Sequence, residues 1–217
     1  MTALYRLSEP ENGVVAIDGV DIQKIGLFDL RSKLTIIPQD PVLFRGTVRQ
    51  NLDPFHQLTD EVLYAALVRS GCIEKNELAT VMKQKVGNGD ELHKFHLDGE
   101  VEDNGDNFSL GQRQIMALCR AMVKESKILI LDEATSSVDY ETDAKIQSTI
   151  VQEFGHCTIL CIAHRLKTII NYDRILVMDK GEVAEFDTPL NLFSRPDGIF
   201  RSMCDKSGIV KDDFTTQ

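Results

Sequence analysis

The stretch Lys127-Ile-Leu-Ile-Leu-Asp-Glu133 decides the fold of this 217-residue chain. Every residue from 128 to 131 is apolar, which is the pattern of a strand covered on both faces. Such strands belong to parallel sheets that carry helices on both sides. Two carboxylates, Asp132 and Glu133, follow the strand directly. The stretch therefore predicts a central strand of an α/β protein that ends in an acidic pair.

Similar patterns on both sides of this stretch complete an α/β arrangement. Further strands are predicted at 14–17, 34–37, 158–163 and 174–178, the last forming a hairpin with 182–186. One helix is predicted to begin near Ser109, with apolar residues at 115, 118, 119 and 122, and another at Asp139, with apolar residues at 146, 150 and 154. Strands separated by helices imply right-handed crossovers and a mostly parallel sheet.

The composition argues against several classes of protein. The chain has 24 Lys+Arg and 34 Asp+Glu, a formal charge of −10, and no basic cluster, so no nucleic-acid partner is expected. Its longest apolar runs, 128–131 and 159–163, are far shorter than the roughly 20 residues of a membrane span. The opening residues lack the features of a signal peptide. The five cysteines form no CxxC pair, which is typical of reduced, buried thiols in the cytosol.

The segment 83–107 differs from the rest, because it is polar, rich in glycine and strongly acidic. We predict a solvated, irregular excursion here. His93 and His96 have an HxxH spacing, but no third ligand follows, so we assign no metal to them.

Polar residues that follow the predicted strands point to one site. Gln39 follows 34–37, the Asp132–Glu133 pair follows 127–131, and His164 follows 158–163. In an open parallel sheet the carboxyl ends of the strands line the ligand site, so we expect these residues to share one edge. An amide, two carboxylates and an imidazole are suited to hold Mg²⁺ on a phosphate chain, activate a water and contact a transferred phosphoryl group.

Each of these residues also has a plainer interpretation. An Asp-Glu pair is common on solvated surfaces, a histidine after an apolar strand is often a core residue, and Gln39 after Pro38 is compatible with a simple turn. The position of the acidic pair at the edge of a dry core favours function, because buried carboxylates cost free energy unless a cation or ligand compensates.

The segment 107–114 opens the helix that begins near Ser109. Ser109 and Gly111 place a hydroxyl, a backbone without a side chain and unpaired N–H groups at a helix N-terminus, where an anion is favoured. Ordinary N-capping by Ser109 explains the same residues equally well.

The order and spacing of Gln39, 108–114, 128–139 and His164 resemble the nucleotide-binding domain of ATP-binding cassette (ABC) transporters. The resemblance runs from about Leu4 to the end of the chain. The segments 36–44 and 46–55 are similar to the second such domain of the multidrug-resistance-associated (C) subfamily, and 94–98 and 107–111 to its fungal exporters. The resemblance implies a P-loop NTPase-like fold with an α/β core at 1–50 and 125–206, a small helical subdomain at 51–124 and a polar, frayed tail at 207–217.

The resemblance also assigns a role to each candidate residue. It implies that Gln39 is the Q-loop glutamine near Mg²⁺ and water, Asp132 the Mg²⁺ ligand, Glu133 the general base, Asp139 the D-loop aspartate and His164 the switch histidine near the γ-phosphate. It assigns Ser109, Gly111 and Gln112 to the signature motif, which acts on nucleotide held by the opposite domain. Leu110 replaces the family's usual glycine, so we expect this signature to support hydrolysis poorly.

One family motif does not occur in the sequence, namely Gly-x-x-x-x-Gly-Lys-[Ser/Thr]. In the family this phosphate loop lies just before the position of Met1, and 2–7 resembles the rest of its helix. We therefore expect a chain truncated at its start, without the first strands and the phosphate loop, that binds ATP negligibly by itself.

The function implied is Mg²⁺-dependent ATP hydrolysis coupled to transmembrane transport of a drug, conjugate or other small molecule. The implied partners are an opposing nucleotide-binding domain and transmembrane domains, at the cytoplasmic face of a plasma or vacuolar membrane. Three alternatives remain open: a regulatory nucleotide-sensing module of a channel or receptor, a soluble cassette ATPase of translation or DNA repair, and an inactive truncated gene product. The net charge of −10 counts against the second.

Overall fold

The computed structural model describes residues 1–85, 87, 91–133, 139–163 and 165–214. The chain forms two compact units, Met1–Leu160 and Cys161–Gln217. The strands are Ala16–Ile17 (β1), Val20–Asp21 (β2), Leu34–Ile37 (β3), Gly46–Thr47 (β4), Glu100–Val101 (β5), Ile128–Asp132 (β6), Thr158–Ile162 (β7), Ile175–Asp179 (β8) and Glu182–Asp187 (β9). The α-helices are Leu27–Ser32 (α1), Val48–Leu52 (α2), Asp60–Arg69 (α3), Leu78–Val81 (α4), Leu110–Lys124 (α5), Tyr140–Phe154 (α6), Leu166–Ile169 (α7), Pro189–Phe193 (α8) and Ile199–Lys206 (α9).

The central sheet has the strand order β3-β6-β7. β3 and β6 run parallel, with Leu34 opposite Ile128 and Ile37 opposite Leu131. The middle residues of β6, 129–131, are buried, as expected for a strand covered on both faces. The predicted strands at 34–37 and 127–131 and the α/β class are thus confirmed. The strand predicted at 14–17 is shorter, covering only Ala16–Ile17.

Both predicted amphipathic helices are present. α5 begins after Ser109, whose side chain accepts a hydrogen bond from Gln112 N, and its residues 118, 119 and 122 are buried. α6 begins after Asp139, whose side chain accepts from Thr142 N. The residues 146, 150 and 154 of α6 form its buried stripe.

Of the prediction for 83–107, the irregular backbone is confirmed for the described residues, which form a two-residue strand and one 3₁₀ turn at Asp103–Gly105, but the solvated character is wrong. Phe95, Leu97 and Val101 are buried, and they belong to one apolar cluster with residues of α3 and α5. The acidic composition of the segment concealed these apolar side chains, which enter the core one at a time between polar neighbours. His93 and His96 serve its turns, since their Nδ1 atoms accept hydrogen bonds from Phe95 N and Asp98 N.

The second unit contains the predicted hairpin, formed by β8 and β9. Lys180 and Gly181 connect them with positive φ angles of 50° and 84°, the backbone that a tight hairpin turn requires. The expectation of a frayed tail is wrong as far as residue 214: Ile209 is buried, and the rings of Phe193 and Phe214 lie 4.8 Å apart.

The boundaries predicted between α/β core and helical subdomain stay a prediction. In the described part of the chain, no helix is long and apolar enough to cross a membrane.

Candidate functional site

The carboxyl edge of the central sheet brings several predicted site residues together. Ile37 and Leu131 lie opposite each other in parallel strands. Gln39 and Glu133 each follow two residues later, so both emerge at this edge, and Asp132 is the last residue of β6. His164 lies outside the described residues, so its predicted place at the same edge stays a prediction.

Glu133 has an unusual backbone conformation. Its φ is 51°, in the left-handed region that residues other than glycine rarely adopt. Such strained positions cluster at active sites, where the surrounding structure holds them for a purpose. Seven described residues other than glycine share this conformation, so it shapes the backbone at Glu133 without by itself marking the side chain as reactive.

Asp132 supplies a carboxylate that is open to a cation. It is half-buried at the end of β6. Within the described parts of the chain, its carboxylate receives no hydrogen bond and forms no ion pair. A half-buried carboxylate of this kind is a ligand that Mg²⁺ prefers.

Two side chains of α5 hold the loop that carries Gln39. The buried Gln114 donates from Nε2 to the carbonyl oxygens of Pro38 and Gln39, at 3.3 and 2.5 Å. Arg120 donates to the carbonyl of Val42, at 2.8 Å. Burial lowers the pKa of the Arg120 guanidinium, which nonetheless remains charged at neutral pH. These contacts fix the path of the backbone on both sides of Gln39.

Asn51 completes this support and was missed by the sequence analysis. Its side chain accepts from Phe44 N (2.8 Å) and Arg120 (2.5 Å), and donates to the carbonyls of Phe44 (2.7 Å) and Thr47 (2.9 Å). It is only 2% exposed. An asparagine on the buried side of α2, between the buried Val48 and Leu52, was the signal that could have found it.

The predicted signature residues lie at the N-terminus of α5. Ser109 and Gln112 form a reciprocal capping box, with Gln112 N donating to Ser109 Oγ (3.2 Å) and Ser109 N to Gln112 Oε1 (2.9 Å). The capping interpretation of Ser109 is therefore confirmed. An anion-binding role for these residues stays a prediction.

Gly111 places this motif against the start of α6. A Cβ at Gly111 would lie 3.0 Å from the methyl carbon of Thr142, so a larger side chain would crowd α6. Asp139 accepts hydrogen bonds from Thr142 N (3.0 Å) and Thr142 Oγ1 (2.7 Å), which lower the pKa of its carboxyl group. The predicted D-loop aspartate is therefore an ionised N-cap that holds Thr142, the residue that lies against Gly111.

A parallel sheet with an amide and two acids at its carboxyl edge, next to a capped helix N-terminus, is the architecture of a P-loop NTPase-like fold. The family model described as ABC transporter matches residues 1–136. The chain belongs to the ABC transporter family, as its motifs predicted.

Relatives and a solved structure agree with this assignment. The chain is 68% identical over 217 residues to the oligomycin resistance ATP-dependent permease YOR1 of Saccharomyces cerevisiae, covering 99% of this chain and 15% of the permease. It is 54% identical over 218 residues to the ABC-type transporter cicA of Emericella nidulans, covering 100% of this chain and 16% of that protein. The structure of a bacterial Atm1-family ABC exporter with ATP bound matches with a TM-score of 0.79 and 32% identity, over 96% of this chain and 34% of the exporter. The chain thus spans about one sixth of the length of its curated fungal relatives.

Proposed function

We propose that this chain is the ATP-hydrolysing domain of an ABC exporter, and that it couples hydrolysis to the transport of a drug, conjugate or other small molecule. The observation that carries the proposal is the emergence of Gln39, Asp132 and Glu133 at one edge of a parallel sheet. The fungal relatives named as a permease and a transporter, and the exporter structure with ATP bound, support it.

The residues at the sheet edge fit a magnesium-bound phosphate chain. Asp132, with its open carboxylate, would hold Mg²⁺, and the amide of Gln39 would assist. When bound, Mg²⁺ supplies positive charge that stabilises phosphate oxygens. Glu133 would orient and deprotonate the attacking water, and His164 would contact the γ-phosphate.

The proposed assembly places this chain beside a second nucleotide-binding domain. Ser109, Gly111, Gln112 and Asp139 would face nucleotide held by that opposing domain. Transmembrane domains would receive the conformational change at the cytoplasmic face of a membrane. The rivals, a nucleotide-sensing module or an inactive product, both predict that this chain does not drive transport.

The 217-residue chain alone is expected to bind Mg-ATP negligibly, because its sequence contains no phosphate loop. Two or three charge-assisted hydrogen bonds of about 1.5 to 3 kcal/mol each are then missing, which lowers affinity by roughly three orders of magnitude or more. Isothermal calorimetry tests this expectation. Micromolar binding by the purified chain would contradict it.

A chimera tests the proposed function itself. The matching segment of the yeast oligomycin resistance permease is replaced by this chain, and yeast cells without their own permease are grown on oligomycin. We expect the chimera to restore growth and Glu133→Gln to abolish it, while the matched control Glu182→Gln, at an exposed position of β9, restores growth fully.

Two readouts make the result decisive. Equal amounts of each chimera at the membrane, measured by immunoblotting, separate lost activity from lost folding. Growth restored by Glu133→Gln as well as by the parent chimera would remove Glu133 as the general base. Failure of a well-expressed parent chimera would remove the assignment of this chain as an exporter ATPase domain.

A further inference from the structure

Two cysteines far apart in sequence lie in contact within the first unit. Cys72 follows α3 and Cys119 lies in α5, and their sulfur atoms are 3.9 Å apart. Cys72 is 8% exposed and Cys119 is fully buried. Neither residue belongs to the site described above. Among all five cysteines of the chain, this is the one pair of sulfurs within hydrogen-bond range of each other.

The surroundings of the pair are polar and positively charged on one side. Cys119 Sγ donates to Ser70 Oγ at 2.9 Å. Lys145 Nζ donates to the carbonyl of Gly71 at 2.8 Å, so a cation lies over the peptide next to Cys72. Burial raises the pKa of Cys72, and the charge of Lys145 opposes that rise. Cys72 is thus mainly a thiol at neutral pH, but its thiolate has a nearby cation.

We propose that Cys72 and Cys119 form a disulfide when the protein meets a hydroperoxide. In the first step Cys72, the more exposed of the two, loses its thiol proton and its sulfur attacks one oxygen of H₂O₂; the O–O bond breaks, and the leaving hydroxide takes up the proton, giving a sulfenic acid and one water. In the second step Cys119 sulfur attacks the Cys72 sulfur and releases a second water. Overall, two thiols and one H₂O₂ give one disulfide and two waters, with two electrons passing from sulfur to oxygen.

The sulfur–sulfur distance sets the approach that the bond requires. A disulfide has a sulfur–sulfur distance near 2.05 Å, so the two sulfurs must approach by about 2 Å, which is the scale of a side-chain rotation. The other cysteines have different neighbours: Cys157 Sγ donates to the carbonyl of Ser126 at 3.1 Å, and Cys204 is buried among apolar side chains.

The bond would join two elements of the candidate signature region. It would tie the connection after α3 to α5, the helix that begins with the signature residues and holds the Gln39 loop through Gln114. Because it closes a loop of almost fifty residues, oxidation is expected to restrict the unfolded chain and to raise the thermal midpoint by about 5 to 10 °C.

Peptide mapping tests the proposal on the folded full chain. The protein is treated with millimolar H₂O₂, denatured, alkylated with iodoacetamide and digested without reduction. We expect the peptides containing Cys72 and Cys119 to be recovered joined, two alkylated thiols to be lost, and dithiothreitol to reverse both changes. Cys157, Cys161 and Cys204 should remain in separate peptides.

Two variants sharpen the experiment. Cys119→Ser should abolish the joined peptide and the rise in thermal midpoint, whereas Cys157→Ser should leave both unchanged. If Cys119→Ser does not fold, the parent mapping alone decides. Recovery of Cys72 and Cys119 as separate alkylated or sulfinic peptides after peroxide treatment, or joined to other cysteines, would overturn the proposal.

Discussion

The hydrogen bonds of Asn51 should make it one of the most sensitive polar positions of the first unit. In Asn51→Ala, Phe44 N and the carbonyls of Phe44 and Thr47 lose their side-chain partner, and Arg120 loses one of its acceptors. A neutral hydrogen bond contributes about 0.5 to 1.5 kcal/mol net and a charged one about 1.5 to 3 kcal/mol. Because the loop relaxes and water enters, we expect a loss of about 3 kcal/mol in the free energy of unfolding.

Urea unfolding followed by circular dichroism measures this loss, with an unchanged m-value showing that the unfolded state is the same. Asn51→Asp is the matched variant, since it keeps the acceptor for Phe44 N and Arg120 but loses both donors. Because its second carboxylate oxygen would face the carbonyl oxygens of Phe44 and Thr47 without a hydrogen between them, we expect it to lose at least as much stability as Asn51→Ala. Asn76→Ala, at an exposed position, is the control and should lie within about 0.5 kcal/mol of the parent. An Asn51→Ala protein as stable as this control would refute the claim that Asn51 and Arg120 hold the Gln39 loop.

Three further substitutions test separate parts of the structure. Leu97→Ala should lower the free energy of unfolding by about 2 to 5 kcal/mol, because Leu97 is 0% exposed. The control Leu7→Ala, at an exposed position, should change it little. Equal effects of the two substitutions would support the original prediction that 83–107 is solvated. Ser109→Ala should cost about 1 kcal/mol and Ser109→Asp much less, as measured by urea unfolding, because either side chain with an acceptor oxygen caps α5. The hydrogen bond from Arg49 lowers the pKa of the Asp60 carboxyl group in the folded protein. The ionised carboxylate therefore stabilises the fold at pH values above the pKa of Asp60 in the unfolded chain, which is near 4. This stabilisation is lost as the pH falls through the lower pKa of the folded protein. Asp60→Asn should therefore have a lower urea midpoint at pH 7 and lose less stability than the parent between pH 5 and pH 2; parallel pH profiles would contradict this.

The elements predicted from the sequence were those whose pattern is local. The apolar run 128–131 identified a buried strand, and the spacing of apolar residues after Ser109 and Asp139 identified α5 and α6. The segment 83–107 was misjudged because composition averages over a window, whereas burial is decided one side chain at a time. Phe95, Leu97 and Val101 alternate with polar neighbours, a period-two pattern that the acidic composition of the whole segment obscured.

In the candidate site, too, local patterns predicted some features and the packing of separate elements decided the others. Order and spacing along the chain were enough to select Gln39, Asp132, Glu133, Ser109 and Asp139 as candidates; the family match over residues 1–136 confirms the family, and the role of each residue stays a prediction. The support of the Gln39 loop by Gln114, Arg120 and Asn51 was not predictable, because its hydrogen bonds join side chains to backbone groups and side chains of other elements. Backbone carbonyls are present at every residue and leave no trace in the sequence.

By itself the sequence determined the strand that ends in two acids, the two capped helices and the family, because hydrophobic periodicity, capping and motif spacing are written between near neighbours. Only the tertiary structure decided that Cys72 lies against Cys119, that Gly111 lies against Thr142 and that Glu133 takes a left-handed backbone. These features arise where separate elements pack, and packing brings together residues far apart in the chain, which patterns between near neighbours do not show.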